Sequence, residues 1–72
     1  MSVDSGYHLV LASSVGERDG MALELTRDVD GKRVAEVFED GDTGLRSFAV
    51  FVFEPLPLEL LRWFIESVDE RL

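Results

Sequence analysis

Asp42-Thr43-Gly44 is the triplet in this chain that matches a catalytic signature, that of the aspartic peptidases. Those enzymes need two such aspartates sharing a proton, which a dimer of a short chain can supply. Here, however, the triplet lies within an acidic, glycine-punctuated DGDTG stretch that a hairpin turn selects on its own account. The chain is also short for two flaps and a substrate cleft. His8 is the sole histidine and has no cysteine or second histidine to complete a metal site or a catalytic pair. Asp28, Asp30 and Glu39 match positions one, three and twelve of a calcium loop, but Arg33 stands where that loop requires glycine. Ser13, Ser14 and Gly16 form no phosphate cradle, because no Gly-Lys-Ser/Thr follows them. The expectation is a protein without enzymatic activity, with no cofactor and no metal.

The elements that position these residues are short. Residues 7–12 are an apolar run, read as a first strand, and residues 13–20 a polar loop. Residues 21–27 alternate, with Met21, Leu23 and Leu25 on one side and Ala22, Glu24 and Thr26 on the other, as a half-buried strand does. Two turn sequences, 28–32 and 40–44, flank a third strand at 33–39, and a fourth strand is expected over 46–53. Pro55 and Pro57 end it. Pro57 suits the first position of a helix running to Leu72, with Glu59 in its first turn and Arg71 in its last. Short loops between successive strands favour an antiparallel meander. The fold class is therefore α+β: a four-stranded antiparallel β-meander with one C-terminal α-helix packed on one face. Residues 1–72 make a single domain, with 1–6 a flexible tail.

Leu61, Phe64, Ile65, Val68 and Leu72 fall on one helical stripe and are expected to face the sheet. Leu60 and Trp63 fall off that stripe. Either Trp63 folds over the sheet periphery or it anchors a partner. The fourth strand is apolar on both sides: Phe48, Val50 and Val52 alternate with Ala49, Phe51 and Phe53. A sheet with one wet face should alternate apolar with polar. The strand is therefore expected to be covered twice, by the helix and by another chain, with Val10, Val34 and Phe38 extending the second surface. Phe51, Phe53, Leu60 and Trp63 are the expected interface residues.

Fifteen acidic residues oppose seven basic ones, for a formal charge of −8. Such a field disfavours phosphate backbones and anionic lipid. A hydrophobic content of 46% is too high for a disordered acidic tail. No stretch is long enough to span a membrane, the N-terminus lacks a signal-peptide pattern, and cysteine is absent, so a cytoplasmic protein is expected. The strand and helix order resembles, in layout alone, the dimeric single-strand-binding transcription coactivators. That resemblance implies a dimer and, as an alternative function, nucleic-acid binding. The acidic residues Glu24, Glu36, Glu39, Asp40 and Asp42 on the strands and turns speak against nucleic acid. The expected function is a small interaction module, working as a homodimer or docked on another protein. The other alternative is an acidic inhibitor or nucleic-acid mimic that presents Glu36, Glu39, Asp40, Asp42, Glu66, Asp69 and Glu70 to a basic surface.

Overall fold

The structure is a computed structural model that describes residues 6–13 and 19–72. Expectations for residues 1–5 and for most of the first loop, 14–18, lie outside the described residues. Strands β1 (Tyr7–Ser13), β2 (Gly20–Arg27), β3 (Arg33–Asp40) and β4 (Arg46–Val50) precede helix α1 (Leu58–Arg71). The strands pair antiparallel in the order β1-β2-β3-β4, the expected meander, and the helix packs on one face. Among the described residues no helix is long and apolar enough to cross a membrane.

The two tight hairpins use one solution. In each, the first strand's last residue pairs with the residue five places on. Arg27 N–H donates to Lys32 C=O, and Asp40 N–H donates to Leu45 C=O. The last loop residue is glycine with positive φ, Gly31 at 68° and Gly44 at 73°. Its N–H returns to the carbonyl of Arg27 or Asp40. A side chain there would meet the left-handed-region penalty, about 1–2 kcal/mol. Asp30 Oδ1 accepts from Lys32 N–H, and Asp40 Oδ1 accepts from the N–H groups of Asp42 and Thr43. Thr43 Oγ1 accepts from Leu45 N–H. Thus each member of the Asp42-Thr43-Gly44 triplet has a place in the turn itself.

Register lines up two apolar rows across the helix side of the sheet, Leu11-Leu23-Val37-Phe48 and Leu9-Leu25-Ala35-Val50. Their inner members, on β2 and β3, are 0–4% exposed, whereas Leu11, Phe48 and Val50 at the edges are 47%, 52% and 51% exposed. A helix with its side chains is ~10 Å across, and four strands at ~4.8 Å spacing are wider than that. The helix therefore seals the two inner strands and leaves the outer ones partly open.

Three expectations are corrected. The helix is rolled by about 70° from the expected stripe, at ~100° per residue, so that Leu60, Phe64, Ser67 and Val68 face the sheet and Ile65 does not. Buried Ser67 is accommodated because its Oγ donates to Trp63 C=O at 2.8 Å. Val34 lies in the core and not on the second surface. A bulge opposite Leu25/Thr26 breaks the β3 alternation, pairing Leu25 with Ala35 but Thr26 with Arg33. Finally, β4 ends at Val50. Phe51 N–H still reaches Val34 C=O, but Val52 comes level with Arg33, the first residue of β3, and Phe53 runs past it with no strand left to pair with.

Phe64 is fully buried at the centre of the core. Phe64→Ala is expected to cost about 3–5 kcal/mol in urea unfolding, and Ile65→Ala under about 1 kcal/mol. Equal losses at the two positions would restore the unrolled helix.

Candidate interaction surface

The surface is built by the edge position of β4. Its alternate residues Phe48 and Val50 project to the helix side, where the roll of α1 places Ile65, itself about half exposed. Between strand and helix runs a shallow groove of about 230 Å³ with Val37, Phe48, Ile65 and Val68 along it. Phe48 meets buried Phe64 in a tilted ring contact, centroids 6.5 Å apart. Arg46 closes one end of the groove. Its Nε donates to Glu39 at 2.8 Å and its Nη1 to Asp69 on the helix at 3.0 Å, so one guanidinium joins β3, β4 and α1. Hydrogen bonding to Glu39, then to Asp69, raises the Arg46 pKa further.

The opposite face of β4 is different. Phe51 is 40% exposed, with the Arg33 guanidinium lying over its ring at 4.6 Å. Arg33 also donates to Glu24 at 2.9 Å and lies 3.9 Å from Glu36, which is buried. This face is thus charged and knitted together along its middle. Phe53 is fully exposed just beyond the strand. Glu54 beside it accepts from Arg27, which also holds Asp30. Those two carboxylates push the Arg27 pKa up, Asp30 first, and Arg27 in turn pulls Asp30 down.

Of the expected interface residues, Phe51 and Phe53 lie together at the end of β4. Leu60 is 1% exposed and belongs to the core, so no partner reaches it in the folded protomer. The reason is the helix roll. Trp63 is half-buried against the core on the helix flank turned away from β4, folded down over the periphery. Spacing alone puts Phe48 and Val50 on one side of the strand and Ile65 on the apolar stripe of the helix, and does not show that they stay exposed. The signal that would have placed them is β4's position as the last strand of a meander, beyond the reach of a single helix.

The acidic residues are largely engaged within the protomer. Arg27, Arg33 and Arg46 hold Asp30 and Glu54, Glu24 and Glu36, and Glu39 and Asp69 in turn. His8 Nδ1 contacts the Asp28 carboxylate, tying the start of β1 to the first turn. Among the described residues no group of three or more His, Asp or Glu is placed to hold a metal ion. The calcium-loop candidates are separated accordingly: Asp28 faces His8, Asp30 faces Arg27, and Glu39 faces Arg46.

The backbone N–H groups of Asp42 and Thr43 hold the Asp40 carboxyl below the usual carboxylate range, and Arg27 does the same for Asp30. A carboxyl whose folded pKa is lowered stabilises the fold above its unfolded pKa, ~3.9, and loses that contribution as pH falls through the folded value. The urea midpoint is therefore expected to hold from pH 7 to about pH 5 and to fall toward pH 3 and below. Asp40→Ala should lower the midpoint at pH 7 and make the acid decline shallower; an identical acid limb in the variant would remove this role.

No family model, no curated protein and no solved structure matches this chain, so the functional reading rests on the surface just described.

Proposed function

We propose that this chain is a small, non-enzymatic protein-interaction module, acting as a homodimer or as a docking subunit through β4 and the adjoining helix flank. We place it in the cytoplasm, which the lack of cysteine suits. The observation that carries this reading is the clustering of exposed Phe48, Val50, Phe51, Phe53 and Ile65 around one sheet edge. Single exposed apolar residues are ordinary; contiguous strips mark contact sites.

The acidic-mimic reading has less support. Glu36, Glu39 and Asp69 already face arginines, and Asp40 holds its own turn, so that four of the seven carboxylates of that surface are engaged within the protomer. Nucleic-acid binding has less still, because Arg27, Arg33 and Arg46 each spend their charge on two carboxylates.

Apolar association persists in salt, whereas carboxylate-driven association weakens steeply. Complexes formed by the tagged protein are expected to survive ~1 M NaCl and to weaken at least ~10-fold on Phe53→Asp, a change at a fully exposed site. Loss in salt, with sensitivity to Glu66→Lys and Glu70→Lys but not to Phe53→Asp, would favour the mimic instead.

A further inference from the structure

We infer that the occupant of the β4 edge is a second copy of this chain, paired antiparallel through β4 about a two-fold axis normal to the sheet. Two four-stranded sheets then become one of eight strands with both helices on the same face. The inference rests on the reading of β4 as the contact surface, and names its partner.

The backbone supplies the first reason. Phe51 N–H points inward, to Val34 C=O, as Leu45 C=O does to Asp40 N–H. Peptide groups alternate in direction along a strand. Those of Phe48 and Val50 therefore point outward, and among the described residues no strand lies beyond β4. A strand that pairs there must be read by outward N–H and C=O groups, and β4 of a second copy presents the same set.

Side-chain parity supplies the second. The outward-pointing residues are also those whose side chains lie on the helix side. In an antiparallel pair outward residues oppose outward residues, so Phe48 and Val50 of each copy meet their counterparts on one face. The two-fold keeps both helices on that face and turns the Ile65 flank of each toward the other. The half-open apolar rows then continue across the junction.

Area and charge supply the third. An aromatic side chain offers ~150–250 Å². By that measure the exposed parts of Phe48, Val50, Phe51, Phe53 and Ile65 offer at most roughly 500 Å² per copy. Two copies therefore offer up to about 1,000 Å², the lower bound of a specific interface. Arg46, the one charged residue of β4, is already held by Glu39 and Asp69, so no unpaired charge opposes contact. Edge strands that must stay single carry inward charges, proline or bulges. β4 has no proline before Pro55 and no bulge in its pairing with β3, and its one inward charge, Arg46, is already paired. The β1 edge offers only Val10 and Leu11 as exposed large apolar residues.

The direct test is sedimentation equilibrium of the full chain at ~100 μM. The wild type is expected at twice 8.1 kDa. Because each copy is acidic, the dimer should tighten as salt screens the repulsion. Val50→Pro removes an N–H that bonds nothing within its own sheet, and proline is tolerated at such edge positions. It should leave the far-ultraviolet spectrum unchanged and raise the dissociation constant at least ~10-fold. A second readout covers the case in which that variant fails to fold. Amide exchange at Phe48 and Val50 in the wild type should slow as concentration rises from ~5 to ~500 μM, with Phe51 unchanged. A wild type that stays at 8.1 kDa, a folded Val50→Pro that remains dimeric, or concentration-independent exchange at Phe48 and Val50 would each overturn the pairing. A monomer whose complexes with other proteins are still lost on Phe53→Asp would remove the second copy while leaving the surface reading in place.

Discussion

A single helix is narrower than four strands, and most of what is distinctive in this protein follows from that mismatch. The helix must choose which apolar rows to seal. It seals the inner ones, where Leu23, Leu25, Val34 and Val37 lie beneath Leu60, Phe64 and Val68. Burial there gains on both partners at once, at ~25 cal/mol per Å² of apolar surface. The edges receive only the helix flanks. Trp63 is large enough to reach back to the core from one flank, whereas Ile65 on the other stands beside Phe48 without closing over it.

The charged residues are arranged around this constraint. Each of three arginines bridges parts of the chain that apolar packing leaves loosely joined: Arg27 ties β2 to the segment after β4, Arg33 bridges β2 and β3 while shielding Phe51, and Arg46 ties β3 and β4 to α1. Exposed ion pairs of this kind contribute little free energy individually. Their effect is on shape. They engage carboxylates across the far face of the sheet and at both ends of β4. Gly20 shows how tightly the start of β2 is drawn against β3: a Cβ there would stand 2.1 Å from the Glu39 carbonyl oxygen.

Much of the fold is legible in the chain. The alternation of 21–27, the glycines of the two turns and the proline-led helix specify the meander and its C-terminal cover, with Pro57 capping the helix one position before its first residue, Leu58, and not occupying that first position. The helix face was less legible because the apolar arc is too wide to define one direction. Leu60, Leu61, Trp63, Phe64, Ile65 and Val68 span more than half the circumference, and the choice among them is made by the sheet. The Val34 placement depended on a bulge that pairs residues far apart in sequence, which no local pattern announces. For the candidate surface, the apolar character of 48–53 on both sides was visible, and Phe51 and Phe53 are exposed just past the end of β4. Phe48, Val50 and Ile65 were hidden by the assumption that a residue on the helix side is a residue under the helix.

The width mismatch itself is tested most directly by side-chain solvent access in dilute protein, below the range of association. Nuclear spin relaxation by a soluble nitroxide reads this residue by residue. Strong broadening is predicted at Phe48, Val50 and Ile65, with Leu23, Leu60 and Phe64 protected. Protection of Phe48 and Ile65 equal to that of Phe64 would mean that one helix does cover the sheet to its edge, and would contradict the mismatch.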